Sequence, residues 1–147
     1  MNGFSLLELV LVLAIAVTLA AIAAPRYGLA LDRYHAEAAA RRVAADLGVA
    51  RATAMAQSAS IAVIFDVPQN RYDIAGVQSL GTATDASLIL SEEPYRSRLI
   101  SADFDGDGAI FFDGHGAPDS GGTVVITCGT DTRSVVVDAQ TGAARVP

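Results

Sequence analysis

The chain begins with an apolar run that is as long as a membrane-spanning helix. Residues 4–24 contain a single ionisable side chain, that of Glu8. As a helix, this run would be roughly 31 Å long, which matches the thickness of the hydrocarbon core of a bilayer. A carboxylate at the centre of such a helix is unfavourable by about 2.5–3.5 kcal/mol, and by less near its end. The pattern therefore predicts a transmembrane helix in which Glu8 needs a partner.

Helical spacing of apolar residues continues beyond this run, and the predicted helix covers residues 4–57. Pro25 removes one backbone donor and is expected to bend the helix without ending it, because the helical pattern resumes at once. Two apolar rows follow the helix period after the proline: Tyr27, Leu31, Tyr34 and Ala38, and then Ala39, Val43, Leu47, Ala50 and Ala54. A helix of this length is about 80 Å long, so its first half must lie in lipid or among other helices.

After residue 58 the period of the hydrophobic pattern changes to two, which is typical of β-strands. Turn residues separate short strands that are predicted over 61–65, 71–75, 87–90, 98–101, 109–112, 123–128 and 133–138, with a last strand ending at 146. A polar loop is expected over 76–87, and a hairpin turn over 129–132. The predicted fold class is α+β, with a long N-terminal helix (transmembrane first half) packed on an antiparallel β-sheet head.

Composition restricts the possible functions further. The 147 residues suffice for one small domain and an anchor, and the net charge is −6, with ten arginines as the only strong bases. Cys128 is the only cysteine, so no internal disulfide is possible. It ends the apolar run 124–128, which predicts a buried, inert thiol in a strand; an intermolecular bridge is the alternative.

The first residues carry a motif. Gly-Phe-Ser-Leu-Leu-Glu, from Gly3 to Glu8, precedes a Leu/Val/Ala run and resembles the processing site of type IV pilins and of the pseudopilins of type II secretion. The resemblance implies that a prepilin peptidase cuts between Gly3 and Phe4, that the new N-terminus at Phe4 is methylated, and that Glu8 is the glutamate that is retained for assembly. Pro25 matches the helix-kinking proline of that family.

The leader implied by this resemblance is residues 1–3, which contain no basic residue. Either the leader is unusually short, or translation starts upstream. An ordinary signal peptide or a simple membrane anchor is the alternative interpretation of the same stretch. The missing basic residues and the acid at Glu8 argue against a signal peptide.

The rest of the chain narrows the resemblance. The Ala/Arg-rich helix, the hairpin from residue 61, the Ile-Phe-Phe-Asp-Gly-His-Gly segment and the closing Val-Val-Val-Asp and Thr-Gly run resemble the GspH/FimT family. Its members are minor pseudopilins of type II secretion and minor type IV pilins. The implied function is that of a structural subunit of the pseudopilus, which supports protein export across the outer membrane. The alternative is a minor type IV pilin in pilus assembly or DNA uptake.

This resemblance also implies an organisation, a location and a set of partners. The expected divisions are a leader at 1–3, a transmembrane segment at 4–25, a periplasmic amphipathic helix at 26–58 and a β-rich head at 59–147. The protein would cross the bacterial inner membrane once, with its head in the periplasm. Its expected partners are other pilin-like subunits, through their N-terminal helices, the prepilin peptidase and the inner membrane.

Glu8 and the amine of Phe4 form the main candidate for site chemistry. Pairing the buried carboxylate with the positive amine of a neighbouring subunit removes much of the free-energy cost of burying it. Such a pair would also set the axial stagger between subunits. The alternative is that Glu8 simply reaches the membrane surface.

A second candidate is a calcium loop. Asp103, Asp105 and Asp107 occupy positions 1, 3 and 5 of a pattern whose position 6 is Gly108, as at the start of a calcium-binding loop. Position 12 is Gly114 instead of glutamate, so the ligand set is incomplete. The alternative is a solvated acidic turn between strands.

Nucleic-acid binding and catalysis are not favoured. Some FimT-like proteins bind DNA through a C-terminal Gly-Arg-x-Arg, but the corresponding stretch here, 142–145, has only Arg145, and the head is acidic. The two histidines, His35 and His115, and the single cysteine do not form the spacing of a catalytic triad, a nucleophile elbow or a metalloprotease helix. The sequence therefore predicts a structural protein without an enzymatic role.

Overall fold

The computed structural model describes residues 5–75 and 85–147. Within these ranges the chain forms one long helix followed by eight strands. The helix α1 spans Leu6–Gln57, and the strands are β1 (Ile61–Asp66), β2 (Arg71–Ala75), β3 (Asp85–Ile89), β4 (Arg98–Asp103), β5 (Ala109–Phe112), β6 (Gly122–Cys128), β7 (Asp131–Val137) and β8 (Ala144–Arg145). The predicted helix and each of the predicted strands are confirmed, with ends that differ by a few residues. Most of the polar loop predicted over 76–87 lies outside the described residues.

The strands form two antiparallel sheets of four strands each, instead of the single sheet implied by the sequence. The first sheet has the order β3-β2-β1-β5, and the second has the order β4-β6-β7-β8. The second half of α1 packs against both sheets, through β1 and β5 of the first and through β6, β7 and β8 of the second. The core of the head therefore lies between the helix and the inner faces of the two sheets.

One face of α1 supplies the helical side of this core. Its side chains are at most 1% exposed: Ala36, Ala39, Ala40, Val43, Leu47, Ala50 and Ala54. Most of them are alanines, which allow the sheets to come close to the helix backbone. The second predicted apolar row is thus confirmed as the packing face.

The first predicted apolar row does not pack on the head. Tyr27 is 69% exposed and Tyr34 is 68% exposed, and Leu31 is also on the surface. Helix periodicity places these residues on the side opposite the core face, since residues 27 and 45 are five full turns apart. These side chains therefore face away from the head.

α1 passes through a proline in its middle and ends in a defined C-terminal cap. The helix assignment continues through Pro25, as predicted, although the predicted bend there stays a prediction. At the C-terminus Ser58 adopts a left-handed conformation, and the backbone N–H of Ala59 donates to the carbonyl of Ala54 at 3.2 Å. This 6→1 hydrogen bond is that of a Schellman motif, which satisfies a terminal carbonyl and turns the chain toward β1.

A single asparagine side chain connects the two sheets. Asn70 lies in the β1–β2 turn with a φ of +56°, and its Nδ2 donates to the carbonyl of Ser97 at 2.9 Å. Its Oδ1 accepts a hydrogen bond from the backbone N–H of Leu99 in β4, and its own carbonyl accepts one from Leu90 at 3.0 Å. The sequence predicted Asn70 only as a turn residue, because these contacts join segments that are 20 to 30 positions apart.

The β6–β7 hairpin is tighter than the turn predicted over 129–132. Cys128 pairs with Asp131, so only Gly129 and Thr130 connect the strands. Gly129 has a φ of +55°, and a glycine at the first central position is what a two-residue hairpin of this kind requires. A Cβ at Gly129 would collide with the carboxylate of Asp32, so this hairpin lies directly against α1.

We expect opposite effects from adding a methyl group at two glycines. Gly48→Ala should raise the free energy of unfolding by about 0.5–1 kcal/mol, because Gly48 is inside a helix and nothing lies within 4 Å of its missing Cβ. Gly122→Ala should lower it by about 2 kcal/mol, because the new Cβ would clash with the Asp103 carbonyl and the buried Phe104 ring. Thermal unfolding of the detergent-solubilised chain measures both; a Gly122→Ala variant as stable as wild type would contradict the packing described here.

Candidate assembly interface

The first part of α1 is an uncovered apolar surface. Its large apolar side chains between Leu6 and Leu19 are each 52–79% exposed. The helix contains a window of 18 residues with a mean hydropathy of 2.7, none of which is buried in the described structure. Length and composition therefore make this segment able to cross a membrane, and the head covers none of it.

Glu8 is the only charged side chain on this surface. It lies in the first turn of α1, where its backbone N–H donates to the carbonyl of Ser5 at 3.0 Å. The next charged residue along the helix is Arg26, which is about 27 Å away along the axis. No described cation of the same chain can therefore neutralise Glu8 in this segment. The predicted processing residues Gly3 and Phe4 lie outside the described residues.

The apolar surface continues as a stripe along the side of α1 that faces away from the head. We call it the outer stripe, and its exposed members are Tyr27, Leu31, Tyr34, Ala45, Val49, Ala52 and Ala56. Arg41 and Arg42 border it on opposite sides, and their guanidinium groups are held by Glu37 and Asp46, each at 2.9 Å. A helix that is apolar on both its inner and its outer side is suited to packing between the head and other helices.

Ion pairs fix the helix to the second sheet. The Glu37 carboxylate accepts from Arg41 and from Arg133 of β7, each at 2.9 Å. Arg133 also pairs with Asp131 at 2.8 Å, and Asp131 lies 3.4 Å from Arg33. Arg133 is the main cause of a pKa of Glu37 below its ordinary value. This chain of alternating charges joins two turns of α1 to the β6–β7 hairpin.

A second polar contact joins α1 to the first sheet. The buried Tyr72 of β2 donates its hydroxyl hydrogen to the carboxylate of Asp46, and Arg42 pairs with the same carboxylate at 2.9 Å. Burial, and then the hydrogen bond to Asp46, raise the pKa of Tyr72. The phenol therefore remains a neutral donor at all physiological pH values, and the helix is held to both sheets.

The predicted calcium residues form a tight turn. Phe104 and Asp107 exchange backbone hydrogen bonds of 2.9 and 3.2 Å, and the two residues between them, Asp105 and Gly106, have φ values of +57° and +93°. Asp-Gly with positive φ at both positions is the signature of a type I′ hairpin turn. The carboxylate of Asp103 accepts a hydrogen bond from the N–H of Gly106 at 2.9 Å.

This turn does not assemble the predicted ligand set. In the parts of the chain that the structure describes, no three His, Cys, Asp or Glu side chains are grouped so that they could hold a metal ion. Asp103 serves the turn, and Asp105 and Asp107 occupy a two-residue hairpin instead of the first half of a twelve-residue loop. The geometry therefore favours the acidic turn, which was the alternative to calcium.

Asp113 has a structural role that sequence reasoning missed. Its carboxylate accepts hydrogen bonds from the backbone N–H groups of His115 at 2.9 Å and Ala117 at 2.8 Å. These bonds, chiefly the one from Ala117, lower the pKa of Asp113. The Phe-Asp-Gly-His-Gly segment is thus a side-chain-organised turn, and it brings Gly114 against the backbone of Ser58 at the end of α1. The glycines predict a turn over 113–122, but the sequence does not show which backbone groups the Asp113 carboxylate binds.

The single cysteine is a buried thiol, as predicted. Cys128 is free and 8% exposed, and its Sγ lies 3.3 Å from the carbonyl oxygen of Arg96 and 3.9 Å from Asp32 Oδ1. Burial, and then the charge of Asp32, raise the pKa of this thiol, so it stays protonated and poorly nucleophilic.

Of the two histidines, His35 donates from Nδ1 to the Pro94 carbonyl at 2.8 Å, which joins the loop before β4 to the helix.

Comparisons with known proteins agree with this architecture. A family model described as the type II transport protein GspH matches residues 39–142, which include the core-facing part of α1 and strands β1 to β7. No curated protein matches the chain significantly.

Solved structures show the same fold. The minor pseudopilin EpsH from the type 2 secretion system of Vibrio cholerae superposes with a TM-score of 0.57 and 15% identity, over 77% of this chain and 96% of that one. The type IV minor pilin FimU of Pseudomonas aeruginosa PAO1 gives a TM-score of 0.57 and 18% identity, over 78% of this chain and 90% of that one. A second crystal form of FimU gives 0.53 and 17%. At identities this low the similarity establishes the fold alone.

The Glu37 network predicts a dependence of stability on pH. Because the folded-state pKa of Glu37 lies below its ordinary value of 4.5, its contribution is present above that pH and is lost as the pH falls through the lowered pKa. We expect Glu37→Gln to lower the free energy of unfolding at neutral pH by up to about 1 kcal/mol, since the pair is partly exposed. The difference from wild type should vanish in acid. Thermal melts at several pH values check this, and Glu92→Gln, on the exposed loop before β4, should leave the pH profile unchanged.

The geometry of the acidic turn predicts that calcium does not stabilise the head. Millimolar calcium should leave the melting temperature of the chain unchanged, because the three aspartates do not form a ligand set. Calorimetric titration with the same cation is the second measurement. Binding heat that disappears in an Asp103→Asn, Asp105→Asn, Asp107→Asn variant would restore the calcium hypothesis.

Proposed function

The chain belongs to the GspH family of type II transport proteins, and on that basis we propose that it is a minor pseudopilin. In this role it is a structural subunit of the type II secretion pseudopilus, which supports the export of proteins across the outer membrane. The observation that carries the proposal is the division of α1 into two halves. One face of the second half is buried against the head, while the first half, residues 6–24, is an apolar rod whose described side chains are exposed and which carries one carboxylate.

The exposed half of α1 has to be covered by something other than water. A contiguous apolar surface of this length greatly exceeds what a soluble monomer exposes. In the inner membrane, lipid covers it first, and the head stays in the periplasm. In a filament, the helices of neighbouring pilin-like subunits replace the lipid, and van der Waals packing between helices then supplies the association energy.

The outer stripe allows this packing to continue beyond the membrane. Ala45, Ala52 and Ala56 are small and exposed on the side of α1 opposite the head, so another helix can approach closely there. Tyr27 and Tyr34 offer large apolar surfaces with polar tips, which suits a boundary between lipid, water and protein. The stripe therefore extends the exposed apolar surface from Tyr27 along the part of α1 that carries the head.

Glu8 would set the position of each subunit. Cleavage after Gly3 by a prepilin peptidase creates a positive amine at Phe4, and no described cation of the same helix lies nearer to Glu8 than Arg26. A neighbouring subunit brings its own Phe4 amine to Glu8 when it is displaced by about four residues, or roughly 6 Å along the axis. Pairing removes most of the free-energy cost of a carboxylate in lipid and so favours one stagger over others.

A role as a minor type IV pilin is the second candidate. The similarity to FimU has the same TM-score as the similarity to EpsH, so the fold supports the pilin role and the pseudopilin role equally. DNA uptake by this chain is not favoured, because the sequence of 59–147 has five arginines against twelve acidic residues, a net charge of −7. Loss of secreted proteins from the medium on deletion supports the pseudopilin, whereas loss of pili with normal secretion supports the pilin.

The processing and pairing steps are tested together by mass spectrometry and a single substitution. The mature chain should begin at Phe4 and carry one additional methyl group. Glu8→Gln should be inserted and cut normally but should fail to enter the filament, since a neutral amide cannot pair with the amine. Cross-linking to neighbouring subunits in membranes measures incorporation, and Glu92→Gln is the matched control on the head. A mature chain that begins at Met1, or a Glu8→Gln subunit that assembles normally, would rule out this mechanism.

A further inference from the structure

A groove with two arginines lies on α1 between the apolar rod and the head. It has a volume of about 230 Å³ and is lined by Arg26, Leu29, Ala30 and Arg33. The two arginines are seven residues apart and therefore lie two turns apart on the same side of the helix, with Leu29 between them. The groove thus has cationic ends and an apolar floor.

Both arginine side chains leave the helix backbone in the direction of the apolar rod. The Cα–Cβ bonds of a helix tilt toward its N-terminus, which in α1 is the end that carries the apolar run. Arg26 follows the last residue of that run by two positions, or about 3 Å. If residues 4–24 fill the hydrocarbon core, Arg26 lies at its edge, and the groove faces the headgroup layer, which is roughly 5–8 Å thick on each side.

Among the described residues, this groove is the positively charged region that lies nearest the membrane. Arg26 forms no ion pair with any described residue. Arg33 is 72% exposed and has only a long contact of 3.4 Å with Asp131, whereas the pair of Glu37 with Arg133, which holds the helix to the head, is 2.9 Å long. The head above is acidic, so an anion is attracted to the groove and repelled by the surface beyond it.

We propose that this groove binds the headgroup of an anionic phospholipid in the outer leaflet of the inner membrane. The guanidinium groups of Arg26 and Arg33 donate to the phosphate oxygens, and Leu29, between them, packs against the apolar part of the headgroup. Tyr27 lies about 100° around the helix from Arg26, beside the groove, at the depth where aromatic side chains favour the interface. The proposal rests on the proposed function, because it requires the first half of α1 to lie in a membrane.

The bound lipid would hold the head at a fixed height and tilt. Arg33 is shared between the lipid phosphate and Asp131 of the β6–β7 hairpin, so a lipid in the groove lies directly beneath the head. Removal of the subunit from the membrane into a filament would then require release of this lipid. The groove is therefore a point at which the lipid composition affects the supply of subunits.

The absence of tryptophan from the chain makes a site-specific measurement possible. Tyr27→Trp places the only tryptophan beside the groove without altering its lining. The full-length variant is reconstituted in phosphatidylcholine vesicles with a minor fraction of lipid that is brominated near the glycerol end of its acyl chains. The brominated lipid is either phosphatidylglycerol or phosphatidylcholine, and the ratio of the two quenching efficiencies reports local enrichment of the anionic lipid.

We expect quenching by brominated phosphatidylglycerol to exceed that by brominated phosphatidylcholine several-fold at low salt. Each of Arg26→Gln and Arg33→Gln should reduce the enrichment by up to about fivefold, and the double variant should abolish it. Arg98→Gln removes an exposed arginine from β4, on the head, and should leave the ratio unchanged. High salt should reduce the enrichment, since the attraction is electrostatic.

Three negative results have different meanings. Equal quenching by both brominated lipids in the wild-type background would overturn the lipid site while leaving membrane anchoring intact. If the Arg variants assembled poorly but showed unchanged quenching, an acidic partner protein would replace the lipid as the ligand, and the proposal would be wrong. Absence of quenching by either lipid would mean that this turn of α1 does not lie at the bilayer, which contradicts the proposed function itself.

Discussion

The close packing of one alanine-rich face of α1 on two sheets is the constraint on which the molecule depends. Because Ala36, Ala40, Ala50 and Ala54 are fully buried, the sheets lie near the helix backbone, and a larger side chain at any of these positions would force them apart. The helix is therefore a structural part of the head and not a flexible tether. Its direction is fixed where the Gly129 turn meets Asp32 and where Arg133 binds Glu37.

A rigid connection means that forces on the helix act on the head. The apolar rod and the core-facing segment belong to one helix in the described structure, so a shift of that helix along its axis carries the β-sheets with it. The polar contacts that secure the helix lie on both sheets, through Tyr72 and Asp46 in the first and through Arg133 and Glu37 in the second. In the proposed pseudopilus, a subunit that is displaced along the filament axis would carry its head with it as one body.

The local hydrophobic pattern was sufficient to predict the helix and the strands. It missed the contacts between residues that lie far apart along the chain. The period of 3.6 in 39–54 and the period of two after 58 predicted the helix and the strands, because each depends on neighbours within a few residues. The hydrogen bonds of Asn70 join segments that are far apart along the chain, and Glu37 and Arg133 are 96 residues apart. The periodicity of the sequence gives no information about such tertiary contacts. Asp-x-Asp-x-Asp-Gly is ambiguous for a different reason: the same Asp-Gly step that could open a calcium loop also forms a type I′ turn. The row of Tyr27, Leu31 and Tyr34 was correctly seen as apolar, but a pattern cannot say which surface will cover it.

In the proposed assembly, Glu8 would form its site between two chains. No described cation of its own helix lies nearer than Arg26, about 27 Å away along the axis, so an unpaired carboxylate in the membrane would be unfavourable. A neighbouring subunit that presents the amine of its Phe4 would lower that free energy. The apolar first half of α1 offers an attraction without direction, since one leucine surface packs on another in many registers. The single charge would supply the direction, because only one stagger brings an amine to the carboxylate.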